Sequence, residues 1–126
     1  MSRIRSRNTR PERILRRALR RRGIHYRSYQ RVDGVTVDLV LPDLHAVVFV
    51  HGCFWHGCSR HYVPPANNSA FWSRKLEKNL TRDERQTRRI RNAGWRALTV
   101  WEHSLETQKD ADRIASRILL SSRRAR

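Results

Sequence analysis

The chain has 126 residues, a length that predicts a single domain, residues 1–126, with a hydrophobic core of its own. Its 28 lysine and arginine residues against 11 acidic residues give a formal net charge of +17, which indicates a polyanionic partner and leaves greater solubility as the alternative explanation. No stretch has the apolar length of a signal peptide core or a membrane span, so we expect a soluble cytoplasmic protein without a membrane partner.

The first predicted element is a helix that follows a basic N-terminal arm, residues 1–10. Thr9 and Glu12 have the spacing of a capping box, Pro11 suits the first helical turn, and Gly23 ends the pattern. One apolar stripe follows at helical spacing, formed by Ile14, Leu15, Ala18 and Leu19.

Three strands are predicted next. Residues 24–30 and 35–41 are separated by the turn signal Asp33-Gly34, and the second segment is rich in β-branched residues. Residues 46–50 (AVVFV) form a continuous apolar run, which predicts a strand covered on both faces.

The last part of the chain adds a helix, a strand and a helix. Residues 71–92 predict a long polar helix with Trp72, Leu76, Leu80, Thr87 and Ile90 on one side. Residues 95–101 predict a buried strand, and residues 108–120 an amphipathic helix before the basic tail 121–126. The resulting order, α-β-β-β-α-β-α, favours an α/β fold with a mixed sheet flanked by helices.

A short segment after the third strand, HGCFWHGCSRHY, is rich in metal-binding residue types. Cys53, Cys58 and His61 are spaced so that a loop can fold around one zinc ion, which requires four ligands. His103, just after the last strand, is the preferred fourth ligand, because neighbouring strands bring their ends together. Competing fourth ligands are His45, His51 and His56. The alternatives to zinc are a disulfide between the two cysteines or two inactive thiols.

Two carboxylates and one imidazole are candidates for hydrolytic chemistry. Asp38 lies inside the strand 35–41, where we expect its side chain to share a face with Thr36 and Val40; Mg²⁺ would offset the cost of placing a carboxylate there. A structural, hydrogen-bonded aspartate is the alternative. Glu12 is by default the capping-box acid but could hold a metal-bound water. His56 has the right chemistry for a general base, and a zinc ligand is its alternative role.

These residues lie in motifs that resemble the very short patch repair (Vsr) endonucleases. The segments SRIRSRNTRPE, AVVFVHGCFWHGC, KLEKNLTRDERQ and AGWRALTVWEH occur in the family's order, and the resemblance extends from about residue 2 to 105. It implies a fold like that of restriction endonucleases, with an αβββαβ core and a zinc-bound loop. The family often has proline before its catalytic aspartate, whereas Val37 precedes Asp38 here.

The resemblance also implies roles for residues in this chain. Asp38 and the main-chain carbonyl of Val50 would bind Mg²⁺, with Glu12 acting through a metal-bound water. His56 would be the general base, and His51 would assist at the phosphate. The resemblance implies zinc ligands at Cys53, Cys58, His61 and His103, and side chains inserted into the DNA base stack at Phe54, Trp55 and Met1. Burial of Phe54 and Trp55 in the core is the alternative.

The implied activity is magnesium-dependent nicking of double-stranded DNA on the 5′ side of the thymine in a T:G mismatch, by a monomer at the nucleoid. One alternative is a related nuclease that acts on another mismatch, lesion or site. Another is a basic, zinc-containing DNA-binding module without hydrolytic activity.

Overall fold

A computed structural model describes residues 9–52 and 69–124 of the chain. The helices are α1 (Arg10–Arg21), α2 (Ser69–Asn92) and α3 (Gln108–Arg124), and the strands are β1 (Arg27–Val32), β2 (Val35–Leu41), β3 (Ala46–His51) and β4 (Arg96–Trp101). Short 3-10 helices cover Pro42–Leu44 and Glu102–Ser104. None of the helices in these two ranges is long and apolar enough to cross a membrane.

The four strands form one mixed sheet in the order β1-β2-β3-β4. β1 and β2 form an antiparallel hairpin, β2 and β3 are also antiparallel, and β3 and β4 run parallel through the crossover that contains α2. Antiparallel neighbours need only a short turn, whereas a parallel pair needs a crossover that is usually helical. The predicted element order and mixed sheet are therefore confirmed.

The N-terminus of α1 is the capping box that the sequence predicts. The Glu12 N–H donates to Thr9 Oγ1 at 3.4 Å, and the Thr9 N–H donates to Glu12 Oε1 at 3.3 Å. Each bond satisfies a backbone donor that has no partner within the helix. The carboxylate of Glu12 is thereby fixed at the start of α1, where it is only 6% exposed.

Helices pack on both faces of the sheet, and each face has its own apolar cluster. The α1/α3 cluster includes Leu15, Leu19, Leu39, Leu41, Val48, Val100, Ala111 and Ile118. The α2 cluster consists of Val35, Val37, Val40, Val47, Phe49 and Ile90. Alternate residues of β3 belong to opposite clusters, as the side-chain period of a strand requires. The prediction that residues 46–50 are covered on both faces is confirmed.

The alternation of side chains in β2 breaks at Asp38. Val37 belongs to the α2 cluster and Leu39 to the α1/α3 cluster, although residues two apart in a regular strand share a face. Val40 packs in the same cluster as Val37. The expectation of regular alternation, with Asp38 sharing a face with Thr36 and Val40 and its neighbours Val37 and Leu39 sharing the other, is therefore wrong for Val37 and Leu39. The strand changes face at the candidate catalytic aspartate.

Two further expectations about element bounds and packing need correction. β1 begins at Arg27, three residues after the predicted start, because Ile24 and Tyr26 pack against the α1/α3 cluster before the strand pairing begins. Leu80 is 43% exposed, although its helical spacing predicts that it lies on the same side of the helix as Ile90. The α2 cluster meets the helix at Ile90, about 15 Å along the axis from Leu80 at 1.5 Å per residue.

Truncation of Leu15 should show the contribution of the α1/α3 cluster to stability. Leu15 is fully buried, so we expect Leu15→Ala to lower the free energy of unfolding by about 2–5 kcal/mol, through lost transfer energy and a residual cavity. Leu80→Ala is the matched control, and its effect should stay within about 0.5 kcal/mol. Urea denaturation followed by circular dichroism measures both changes, and equal effects would contradict the observed packing.

Candidate active site

Asp38 lies where the backbone pairing of β2 and β3 stops. The paired residues end at Leu39 and Val48, and beyond them the Asp38 carboxylate accepts the main-chain N–H of Val50 at 2.7 Å. A side chain thus replaces the backbone acceptor that the ladder would otherwise supply. The bond fixes the partly buried carboxylate at the edge of the opening between the two strands.

The main chain at Val50 suits the predicted role of its carbonyl. In an antiparallel pair, the N–H and C=O of one residue point to the same neighbouring strand. The Val50 N–H bonds to a side chain of β2, so we expect its carbonyl oxygen to face the same side. One carboxylate and one carbonyl are hard oxygen donors, the type that Mg²⁺ prefers, and this donor set fits the ion.

Glu12 approaches this region from α1. Its Oε1 accepts the Thr9 N–H and the hydroxyl of Tyr29, and the Arg16 guanidinium lies 4.0 Å away. A nearly buried carboxylate is tolerated when hydrogen bonds and a cation surround it in this way. The β1–β2 register places Tyr29 opposite Asp38, so Tyr29 connects the strand position facing the aspartate with Glu12.

His51 ends β3, directly after Val50. Its ring lies edge-on to Trp101, with centroids 5.4 Å apart, and tilted relative to Phe49, with centroids 5.9 Å apart. His51 and Trp101 are register partners in the parallel pair β3–β4. The two aromatic rings restrict the orientation of the imidazole at the end of the sheet where Asp38 and Val50 lie.

The end of β3 lies beside the 3-10 turn that carries His103. A methyl group built on Gly52 would lie 3.6 Å from Glu102 Oε1, so these two residues are in contact. Cys53 follows Gly52, and His103 follows Glu102, in the chain. The parallel register of β3 and β4 causes this proximity. Gly52 and Glu102, the residues before Cys53 and His103, are therefore neighbours at this end of the sheet, while Cys53 itself lies outside the described residues.

His45, one of the competing zinc ligands, lies at the opposite end of β3. It immediately precedes Ala46 and stacks on Trp95, with ring centroids 4.1 Å apart and planes 9° apart. The six residues from His45 to His51 correspond to about 20 Å of extended chain. His45 therefore lies at the end of β3 that is remote from Gly52.

Several predicted site residues lie outside the described ranges. They are Met1, Cys53, Phe54, Trp55, His56, Cys58 and His61. Within residues 9–52 and 69–124, no group of three or more histidine, cysteine, aspartate or glutamate side chains forms a metal-binding cluster. Of the predicted site, the structure thus brings together Asp38 and Val50, with His51 next in the chain, and connects Glu12 to β1.

Two residues that sequence reasoning missed contribute to this region. Tyr29 donates to Glu12, and Trp101 packs against His51. Trp101 could have been found, because the predicted strands that end at residues 50 and 101 would, if parallel neighbours, place its ring near His51. Tyr29 had no comparable signal, since its alternation with neighbouring polar residues is that of an ordinary exposed strand.

The comparisons with known proteins point to one family. Residues 1–61 match the family described as DNA mismatch endonuclease Vsr. DNA mismatch endonuclease Vsr of Escherichia coli (strain K12) is 36% identical over 106 residues, covering 83% of this chain and 68% of that protein. Type II nicking enzyme V.XorIIP of Xanthomonas oryzae pv. oryzae (strain KACC10331 / KXO85) is 39% identical over 107 residues, covering 83% and 78%.

One further relative and one solved structure are also similar to this chain. Type II nicking enzyme V.NaeI of Lentzea aerocolonigenes is 44% identical over 100 residues, which cover 75% of this chain and 60% of that protein. This chain therefore spans less than two thirds of that relative's length. The catalytic domain of homing endonuclease I-Bth0305I has a similar fold, with a TM-score of 0.61 at 18% identity over 91% of this chain and 98% of that domain.

Proposed function

We infer that this chain, which belongs to the Vsr family, is a DNA endonuclease. It would nick one strand 5′ of the thymine in a T:G mismatch. The observation that carries the proposal is the bond between the Asp38 carboxylate and the Val50 N–H, which fixes the carboxylate beside the Val50 main chain where the β2–β3 pairing ends. Glu12 is bonded to Tyr29, which lies opposite Asp38 in the β1–β2 register, and His51 follows Val50 at the end of β3.

The charge of the described surface supports a DNA substrate. Arg10, Arg13 and Arg17 lie on the exposed side of α1, the helix whose first turn carries Glu12. Their spacing of three and four residues places them along one helical face. Arginine binds phosphate oxygens through its planar guanidinium, so this face is suited to the DNA backbone next to the candidate site. The net charge of +17 favours the same class of partner.

The proposed reaction assigns one step to each residue. Asp38 and the Val50 carbonyl would hold Mg²⁺, which when bound supplies positive charge that stabilises the negative charge developing on the scissile phosphate. His56 would accept the proton of the attacking water, and Glu12 would orient that water. His51, restrained by Trp101, would donate a hydrogen bond to the phosphate. Hydrolysis then breaks one phosphodiester bond and leaves the opposite strand intact.

Mismatch selectivity would come from two aromatic side chains. Phe54 and Trp55 follow Cys53 in the chain, and we propose that they enter the base stack, together with Met1 from the basic arm. Unstacking costs a few kcal/mol per step and least where base pairing is already defective. A zinc ion bound by Cys53, Cys58, His61 and His103 would hold the segment that carries both aromatics against the end of the sheet.

A panel of duplexes with one labelled strand tests this specificity. The protein should act as a monomer and cut the thymine strand of a T:G duplex about 100-fold faster than matched T:A or C:G duplexes, equivalent to about 3 kcal/mol. Denaturing gels give the rate and the cut position with and without Mg²⁺. Equal cutting of matched and mismatched duplexes would contradict the mismatch role.

The second candidate function is a Vsr-like nicking enzyme with another target. The relatives V.NaeI and V.XorIIP, both named type II nicking enzymes, favour it because they are more similar to this chain than the Escherichia coli Vsr protein is. The same panel, extended to other mismatches and flanking sequences, separates the two candidates. Binding of every duplex without cleavage in any divalent metal would instead indicate a non-catalytic DNA-binding module.

A further inference from the structure

Tyr29 has an unusual backbone conformation in the middle of β1. Its φ is 51°, in the left-handed region, whereas its neighbours Ser28 and Gln30 pair regularly with β2. Such a conformation is uncommon for a bulky residue and costs on the order of 1–3 kcal/mol, so surrounding contacts must hold it. Strain of this kind is concentrated at functional sites, which directs attention to what Tyr29 contacts.

The distortion at Tyr29 coincides with the change of face in β2. The pairs Ser28–Leu39 and Gln30–Val37 lie on either side of it, so the register places Tyr29 opposite Asp38. β1 changes face as well, since Ser28 and Gln30, two residues apart, lie opposite Leu39 and Val37, which belong to different clusters. Both strands of the hairpin therefore change face at one pair of opposite positions, Tyr29 and Asp38.

The Tyr29 side chain joins this pair of positions to α1. Its hydroxyl donates to Glu12 Oε1, the oxygen that also accepts the Thr9 N–H at 3.3 Å and lies 4.0 Å from the Arg16 guanidinium. Thr9 and Arg16 belong to α1 or its cap, whereas Tyr29 belongs to the sheet. The Glu12 carboxylate is thereby held by a contact from the strand position that faces Asp38.

We propose that Tyr29 is a positioning residue for the nicking reaction, an inference that rests on the function proposed above. Its hydroxyl fixes the Glu12 carboxylate relative to Asp38, and its left-handed φ is what allows the ring to reach α1 from the middle of β1. The competing explanation is a contact that only anchors β1 to α1. A purely structural contact predicts loss of stability and of DNA affinity together, whereas a positioning contact predicts loss of the cleavage rate.

The Tyr29→Phe variant distinguishes the two explanations, because it removes the hydroxyl and keeps the ring. The single-turnover rate on the preferred duplex should fall about 10–100-fold, the usual loss when a partner that orients a metal-site group is removed. The dissociation constant for DNA, measured without metal, should change less than about twofold, because Tyr29 acts through Glu12 and not on DNA binding. The melting temperature should show that the variant folds.

Tyr26→Phe is the matched control. Tyr26 lies just before β1, and its hydroxyl accepts a hydrogen bond from Arg20, away from Asp38 and Glu12. Removing that hydroxyl deletes one tyrosine contact with the same helix, so it should leave the cleavage rate within about twofold of wild type. A similar loss of rate in both variants would show that any weakened contact between this segment and α1 is sufficient, and would overturn the positioning role.

The contact itself can be tested without any assay of cleavage. In a double-mutant cycle on the free energy of unfolding, the effects of Tyr29→Phe and Glu12→Ala should be non-additive, because each removes the same hydrogen bond. Additive effects would overturn the proposed contact. Unchanged cleavage by Tyr29→Phe, or failure of this variant to fold, would overturn the positioning role alone. Failure of the wild-type chain to cut any duplex would overturn the proposed function with it.

Discussion

We expect Asp38→Asn to cut DNA more slowly than the wild-type chain by about 10³-fold or more, with its fold and DNA affinity retained. The asparagine carbonyl oxygen can still accept the Val50 N–H that Asp38 accepts at 2.7 Å, so the junction of β2 and β3 should keep its geometry. The negative charge is lost, and with it most of the attraction for a divalent cation. Single-turnover cleavage of the preferred duplex measures the change.

Asp43→Asn is the matched control for this substitution. Asp43 lies in the 3-10 turn that follows β2, where its exposed carboxylate pairs with His25 at 2.8 Å. Asp43→Asn removes one negative charge, as Asp38→Asn does. It should nevertheless leave the cleavage rate within about twofold of wild type, since exposed ion pairs contribute little to stability. If Asp38→Asn cut within tenfold of wild type, Asp38 would not be the metal ligand. Loss of folding would instead assign it a structural role.

The sequence predicts the strands best where their apolar pattern and turn residues agree. The bounds of β2 match the predicted residues 35–41, because a β-branched run follows the Asp33-Gly34 turn. β3 extends only one residue beyond the predicted run 46–50. The start of β1 is less well predicted, because Ile24 and Tyr26 are apolar for packing against the α1/α3 cluster and not for pairing in the sheet.

The details of the candidate site are less accessible from sequence, because they depend on contacts between distant residues. The change of face at Asp38 accompanies the left-handed φ of Tyr29, whose hydroxyl is bonded to Glu12, 17 residues away. Neither Tyr29 nor Val37 carries a local signal such as glycine or proline for this geometry. The sequence singles out Asp38 as the candidate aspartate, whereas a description of its surroundings required the tertiary structure.

The capping box of α1 is compatible with a second role for Glu12. Sequence alone makes Glu12 a helix cap by default, and the bonds with Thr9 confirm this role. The same carboxylate also meets Tyr29, which no cap requires. A capping box fixes a carboxylate at low entropic cost, so it is a suitable place from which to present an acid to the end of a sheet. The two roles are therefore compatible.

We expect the native protein to contain about one zinc ion per chain, and Cys58→Ala to lose both the metal and the native fold. Structural zinc contributes about 10–16 kcal/mol in small domains at neutral pH, which is comparable to the total stability of about 5–15 kcal/mol for a typical protein. Elemental analysis gives the metal content, and circular dichroism with thermal melting gives the fold. Metal content near zero in the native protein would discard the site.

His103→Ala tests the fourth ligand separately. His103 is partly buried in the 3-10 turn after β4, and the residue before it contacts Gly52, which precedes Cys53. We expect this variant to lose zinc and most of its stability, because three remaining ligands leave the tetrahedral site open to water. If zinc were retained in His103→Ala but lost in Cys58→Ala, the fourth ligand would be one of the competing histidines, His45, His51 or His56.

His25→Ala is the control for the loss of an imidazole. Its side chain is 82% exposed and pairs with Asp43. Asp43 follows the C-terminal end of β2, whereas the turn of Asp33 and Gly34 precedes that strand. This variant should keep one zinc ion and a melting temperature close to that of wild type, since an exposed pair contributes at most about 1 kcal/mol. A zinc site between the ends of β3 and β4 therefore predicts loss of metal for His103 and none for His25, and equal metal content in the two variants would contradict it.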